Sequence, residues 1–550
     1  MINKNQWKII FSIKGIKPEA VSERTIIIKL WDKDWNDFGF KTDCSIEIFK
    51  NPENNLEVSG KIAFLSMKSS SYKHVLEIFE KYSDPNKIQH NESLKDYYSI
   101  LSEISHYREI VEKFGVTEAS RILNSINDMA LAKAKKSRSH WFKKAQQEKA
   151  FTESLIRTSE AFYSFSNSSF LLNGLEKELF DSVSSKLKLK FSLEGFTNPH
   201  ELEFSFDKNS FIPKNISVII GKNGVGKSQS LSHLVKGALN NDQAILSDPD
   251  NSRPMISRIL ALATPGETSN TFPTPRNTRN INYRRLSLAR ASRGDNSATL
   301  PDLVHQLARS NERIGKAKRW GIFMIALKSV LDPSSIAFKL TPYEGDSYKY
   351  QFEDSDYASL DDFVFGNEEK LLELRRRLIL TESPRIHSNG NFHPMSSGQI
   401  SFFRFVLHAC LYIENGTLVL IDEPETHLHP NLISDFFILL NDLLTQTGSI
   451  AIISTHSAYF VRELPRDQVL ILRTVSTENG KSISCERPRL GTFGSNVGSI
   501  SHFVFEDQFS TLLSRLTKTK TPDRRTLENI KNEISLEAYL KFREKLEAQK

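Results

Sequence analysis

The chain has 550 residues, 39% apolar and 25% charged, with 24 Gly and 20 Pro; that length suits about three to four folding units, and the composition excludes collagen-like and low-complexity chains. A net charge of +7 excludes a uniformly basic nucleic-acid coat and leaves room for a local basic patch. Three scattered cysteines, Cys44, Cys410 and Cys485, fit neither a disulfide framework nor a Cys-rich zinc site. Lys8 and Lys14 break up the apolar residues of the start, and no apolar run approaches the roughly 18 residues that span a bilayer. The expectation is a cytoplasmic protein with no membrane anchor of its own.

Residues 1–70 read as a β-rich region, with RTIIIKLW and DCSIEIFK separated by turn-like segments. Residues 71–180 read as helical, as in YYSILSEISHYREIVEKFG, with Gly115 a stop and Thr117 the next start. A β pattern returns in 181–241 and leads to ISVII, which ends at Gly221. Residues 242–394 read as a mixed insert and helical lobe. In 395–475, LVLID and IAIIST alternate with helical patterns, the order of a mostly parallel sheet. Residues 476–550 form a C-terminal region with no evident catalytic motif, and no internal repeat is visible.

Gly221-Lys222-Asn223-Gly224-Val225-Gly226-Lys227-Ser228 fits GxxxxGK[ST] between an apolar strand pattern and a helical one. Glycines let the backbone wrap a phosphate, so that N–H groups and the helix N-terminus face its oxygens. Gly221, Asn223, Gly224, Gly226, Lys227 and Ser228 are therefore the candidate ATP-binding residues. Lys227 would reach the β and γ phosphates, and Ser228 would ligate Mg²⁺. A chance glycine turn is the alternative, disfavoured by the flanking strand and helix.

Leu418-Val419-Leu420-Ile421 delivers Asp422 and Glu423 at a strand's C-terminal end, where parallel sheets usually hold ligands. Asp422 would share the metal with Ser228, and Glu423 would polarise the attacking water. Two acids after four apolar residues suit a solvated strand end as well, so their weight comes from their neighbours.

Those neighbours are Met395-Ser396-Ser397-Gly398-Gln399 and Ile453-Ser454-Thr455-His456-Ser457. With the phosphate loop they resemble the ATP-binding-cassette ATPases over about residues 186–473. The resemblance implies an α/β, ABC-type P-loop fold: a mostly parallel sheet, an antiparallel β subdomain and a helical insert, preceded by the β-rich and helical N-terminal region. It implies ATP and Mg²⁺ as cofactors, hydrolysis to ADP and phosphate, and a head-to-tail dimer or higher oligomer. In the dimer Ser396, Ser397, Gly398 and Gln399 cap the nucleotide of the other subunit, with Ser397 in place of the signature's first glycine. His456 matches the switch histidine, which with Glu423 completes the catalytic pair. The family's Q-loop glutamine has no clear equivalent around ISRILALATPG.

The run Asp422-Glu423-Pro424-Glu425-Thr426-His427-Leu428-His429-Pro430 resembles that of RecF-, SMC- and OLD-like ATPases. His427 and His429 suggest a second metal site, but the family places a dimer-contacting loop there. No Asp-x-Asp follows His456, so the nuclease domain of OLD-like proteins is not expected. The overall plan resembles the ATPase of Septu-type antiphage defence, also found with retrons. That implies a sensor or regulator holding an HNH nuclease and, in retrons, a reverse transcriptase with its single-stranded DNA. The alternatives are a repair-type RecF/SMC-like ATPase acting directly on DNA and a scaffold that uses ATP structurally.

Two basic stretches stand apart from these motifs. Lys133, Lys135, Lys136, Arg138, Lys143 and Lys144 surround Trp141 and Phe142, as either a solvated helix face or a nucleic-acid track. Arg276, Arg279, Arg284, Arg285, Arg290 and Arg293, with no acid between the first and last, are the candidate nucleic-acid contacts; a flexible loop or a subunit contact is the alternative. Phe402, Phe403 and Phe405 read as core packing.

Overall fold

The computed structural model describes residues 7–13, 23–30, 40–51, 53–81, 88–90, 96–135, 137–168, 172, 184–207, 210–250, 252–263, 271–274, 281–287, 299–310, 313–314, 317–328, 330–342, 352, 356–364, 368–426, 430–478, 480–505, 522–531 and 533–548. The β-branched runs near the start form β1 (Lys8–Ile13), β2 (Thr25–Leu30), β3 (Asp43–Asn51) and β4 (Asn54–Phe64), joined by β5 (Ile88–His90) and β6 (Tyr97–Leu101). They make one sheet in the order β5-β1-β2-β3-β4-β6, parallel between β1 and β2 and antiparallel elsewhere.

This sheet crosses the boundary expected at residue 70. Tyr97–Leu101 was expected to be helical; all five residues are buried in β6, and a segment covered on both sides has no polar stripe to select the helical period. The helix begins only at Ile104 and runs to Phe114, where Gly115 at φ 78° ends it and Val116 opens the next. Segments 1–70 and 71–180 therefore share one sheet and one core.

Next come β7 (Lys186–Phe191), β8 (His200–Ser205), β9 (Ile216–Gly221), β10 (Leu246–Ser247), β11 (Arg258–Ala263) and β12 (Asn282–Ser287). β10, β7 and β8 form an antiparallel sheet. A hairpin of β13 (Arg313–Ile314) and β14 (Ala317–Lys318) precedes a four-stranded antiparallel sheet of β15 (Ile336–Lys339), β16 (Tyr357–Ser359), β17 (Arg385–Ser388) and β18 (Asn391–Pro394). The chain then gives β19 (Thr417–Asp422), β20 (Ile450–Thr455), β21 (Val469–Thr477) and β22 (Gly480–Glu486).

The central sheet runs β12-β11-β19-β20-β9-β21-β22, parallel throughout except for the last pair. Two expected boundaries shift as a result. Segment 242–394 is more than an insert, because β11 and β12 belong to the central sheet; RILALA is aliphatic enough to be buried beside β19. The β21–β22 hairpin likewise crosses the boundary at 475.

Alternation along these strands sends side chains to opposite faces. Ile219, Leu418, Leu420, Ile450 and Ile452 pack with Leu231, Leu234 and Val235 of the helix Lys227–Asn240, in a core continuous with Ile9, Phe11, Ile26 and Ile28 of the N-terminal sheet. Val218, Ile220, Val419, Ile421, Ala451 and Ile453 face Phe402, Phe403 and Phe405 of the helix Ser397–Tyr412. Among the described residues no helix is long and apolar enough to cross a membrane.

Candidate active site

Strand register brings the site together. Asp422 pairs with Ser454, and Thr455 with Ile220, so the C-terminal ends of β19, β20 and β9 lie side by side. The phosphate loop leaves β9 at Gly221 and turns through Gly226, at φ 97°, into the helix Lys227–Asn240. A Cβ on Gly226 would lie 2.8 Å from His200 Nε2, so the position needs glycine for both its dihedral and its space.

Lys227 is 5% exposed, and its Nζ donates to the carbonyls of Gly221 and Lys222, each at 3.1 Å. Burial pushes its pKa down to about 8, against the opposing pull of Glu423, Asp422 and Glu425. Asp422 accepts from Ser228 Oγ at 3.1 Å, from Thr271 Oγ1 at 2.6 Å and from Ser454 Oγ. Burial raises its pKa despite those three hydroxyls.

Glu423 has a left-handed backbone at φ 47°, and its N–H donates to Ser454 O at 2.9 Å. A non-glycine residue in that region stores strain of about 1–3 kcal/mol. His456 Nε2 donates to Glu423 Oε1 at 2.8 Å, and this bond holds the carboxyl below the usual range. Glu425 Oε1 accepts from the His456 backbone N–H at 2.5 Å, while burial pushes the Glu425 carboxyl up.

Asn223, Gly224, Gly226, Lys227, Ser228, Glu423 and His456 line a cleft of about 950 Å³ together with Leu193, Glu194, Phe196 and Gln229. Phosphate oxygens fit the loop N–H groups and the lysine. The Ser228 hydroxyl and Asp422 carboxylate, already in contact, are hard oxygen donors suited to a Mg²⁺ that takes its other ligands from phosphate and water. Among the described residues no group of three His, Cys, Asp or Glu could hold a metal alone; His427 and His429 lie outside the described residues.

Ser396, Ser397, Gly398 and Gln399 do not line this cleft. They start the helix Ser397–Tyr412, where Gln399 N donates to Ser396 Oγ at 3.2 Å and Ser396 N to Gln399 Oε1 at 2.9 Å, a reciprocal capping box. Of the arginines read as nucleic-acid contacts, Arg284 and Arg285 lie on β12, in the sheet rather than in a lobe-connecting insert. Arg284 stacks on Tyr412 at 4.1 Å, and Arg285 Nη1 donates to Phe272 O at 3.1 Å. Arg276, Arg279, Arg290 and Arg293 lie outside the described residues.

Sequence reasoning missed Ser454, Thr271 and Glu425. Glu425 was signalled by the run it shares with Glu423, whereas Ser454 meets Asp422 only through the register of two strands. Thr271 carries no local signal.

A family model described as "AAA domain, putative AbiEii toxin, Type IV TA system" matches residues 242–462. That segment is similar to AAA-type domains. The match starts after the phosphate loop and spans Ser396–Gln399, Asp422, Glu423 and His456. Protein ea59 of Escherichia phage lambda is 24% identical over 537 residues, covering 92% of this chain and 91% of that one. Among solved structures, CbiO1 of Clostridium perfringens, part of an ABC transporter complex, is 13% identical with a TM-score of 0.27, covering 62% of this chain and 96% of its own. The SMC head domain of Thermotoga maritima is 13% identical with a TM-score of 0.22, covering 55% and 97%.

Proposed function

We propose that this chain binds Mg·ATP in the Lys227 cleft, hydrolyses it to ADP and phosphate, and uses the cycle to control a separate effector in antiphage defence. The observation that carries the hydrolytic reading is the 2.8 Å bond from His456 to Glu423 in the same cleft as Lys227 and Ser228. Loop N–H groups and Lys227 hold the phosphates. Mg²⁺, held by Ser228 and Asp422, would offset phosphate charge. Glu423, kept ionised by His456, accepts the proton of the attacking water as it adds in line to the γ phosphorus. Ser396–Gln399 start a helix outside the cleft and act on the nucleotide of a second copy, so ATP favours a closed head-to-tail dimer and its loss opens it.

The effector in this reading is an HNH nuclease, joined in a retron setting by a reverse transcriptase and its single-stranded DNA, all in the cytoplasm. It is supported by the run from Asp422 to Pro430 and by a family description that names a toxin–antitoxin system. The test is a pull-down of the tagged chain from its own operon, in wild type and Glu423→Gln. A copurifying nuclease that changes occupancy in the variant supports the reading. Recovery of the ATPase alone, with turnover stimulated by duplex DNA, replaces it with a repair-type ATPase acting directly on DNA.

A further inference from the structure

The two oxygens of Asp422 are held from different directions. Oδ1 accepts from Ser228 and Ser454, which come from the phosphate-loop helix and the neighbouring strand. Oδ2 accepts from Thr271 at 2.6 Å, a helical residue that directly precedes Phe272 and Pro273. Thr271 is 2% exposed, as is Asp422.

What fixes Thr271 is the edge strand. Arg285 Nη1 donates to Phe272 O at 3.1 Å and Tyr283 Oη to Pro273 O at 2.9 Å. Tyr283 and Arg285 are two residues apart and share one face of β12. Between them, Arg284 stacks at 4.1 Å on Tyr412, the last residue of the helix that Ser396 caps. Three consecutive residues thus grip both the segment that reaches Asp422 and the far end of the signature helix.

We infer that Thr271 is a positioning residue of the divalent-cation site, holding Asp422 Oδ2 so that Oδ1 stays turned toward Ser228, and that β12 sets its place. The inference rests on the ATPase reading above. The Thr271 hydroxyl gives its one hydrogen to Oδ2, which steadies the carboxylate while Oδ1 faces Ser228. Valine keeps the shape and leaves a buried carboxylate oxygen short of a donor.

The test is Mn²⁺ binding, followed by electron paramagnetic resonance, and Mn²⁺-dependent binding of a fluorescent ATP analogue, on the full chain. Loss of an outer-shell partner costs about 10- to 100-fold in metal affinity, and Thr271→Val is expected to weaken Mn²⁺ by that amount while metal-free analogue binds as in wild type. Thr271→Ser restores the hydroxyl and the affinity, and Arg285→Met shows a smaller loss of the same kind. Wild-type Mn²⁺ affinity in a folded Thr271→Val, or a Thr271→Ser as weak as the valine variant, overturns the assignment. If Lys227→Ala also leaves analogue binding unchanged, the ATPase reading itself fails; if it abolishes binding while Thr271→Val does nothing, only Thr271 is misassigned.

Discussion

Arg108, on a helix packed against the N-terminal sheet, donates through Nη2 to Glu414 Oε1 at 3.1 Å, across 306 positions of chain. Arg319 Nη2 donates to the other oxygen at 3.1 Å, and its Nη1 caps the carbonyls of Cys410 and Ile413 at 3.0 and 2.6 Å. Glu414 sits between the end of the helix Ser397–Tyr412 and the start of β19, so the knot lies at the root of the signature helix and of the strand bearing Asp422. The side chains of Arg108, Arg319 and Glu414 are 4%, 3% and 4% exposed. Removing one partner of a buried ion pair costs about 3–5 kcal/mol, because the other charge is left uncompensated. Glu414→Gln should lose that much unfolding free energy in denaturant titrations, and Arg108→Met less, because Arg319 still pairs with Glu414. A loss under about 1 kcal/mol in both would show that the knot does not hold the parts together.

Glu414 also makes stability depend on pH. Burial alone would raise its pKa, but Arg108, Arg319 and Arg258 outweigh it and hold the carboxyl down at about 2 against an ordinary 4.5. Between those values the unfolded chain binds more protons than the folded one, so the stabilisation is complete above pH 4.5 and is lost as pH falls toward 2. The shift corresponds to about 3 kcal/mol. Asp128 runs the other way: burial raises it from 3.8 to about 7, so its contribution fades as pH rises through 7. Denaturation at pH 3 and pH 5 should show a steep acid loss in wild type and a flatter one in Glu414→Gln, and parallel curves would contradict this role for Glu414.

Glu423→Gln keeps the volume and removes the proton acceptor. Misplaced general-base chemistry costs about 10²- to 10⁴-fold, and turnover should fall into that range while ATP stays bound. Phosphate release and the nucleotide content of the purified protein check it; turnover at the wild-type rate would remove Glu423 from the mechanism.

Glu425 acts on the same pair from behind. It accepts the His456 backbone N–H at 2.5 Å, one residue from the strand end, and so fixes the origin of the imidazole that holds Glu423. Glu425→Ala should lower kcat about tenfold with little change in KM, since an orienting contact is lost and no substrate contact with it. Glu425→Gln keeps an acceptor oxygen and should retain most activity. Equal loss in both variants would point to the charge and away from the hydrogen bond.

How much of this was legible depended on whether the signal was local. The strands ending at Gly221, Asp422 and Thr455 are continuous aliphatic runs, and eight consecutive residues carry the phosphate loop, so both could be read directly. Tyr97–Leu101 could not, because its strand pairing with β4 lies outside any local window and its buried residues have no period. Arg284 and Arg285 were grouped with other arginines as a nucleic-acid patch because no acid lies near them in sequence. What they meet is a tyrosine ring and a backbone carbonyl, and neither leaves a mark in charge patterning. Thr271 is legible only through Asp422, and that partner is set by tertiary packing.

The loop's geometry supplies a final test. Gly226→Ala forces a side chain into φ 97°, a region that costs an L-residue about 1–2 kcal/mol, and places a Cβ 2.8 Å from His200 Nε2 and 3.0 Å from Leu193 Cδ1. The imidazole has little room to retreat. Its Nε2 donates to Val225 O at 3.0 Å, and its ring stacks on Phe191, which itself stacks on His233 at 4.3 Å. The loop must therefore shift, and ATP affinity should fall by more than about tenfold, since 1.4 kcal/mol is a factor of ten. Adding His200→Ala relieves the contact and leaves the dihedral strained, so it should restore only part of the affinity. If Gly226→Ala binds nucleotide as tightly as wild type, phosphate is not received by the backbone of this loop.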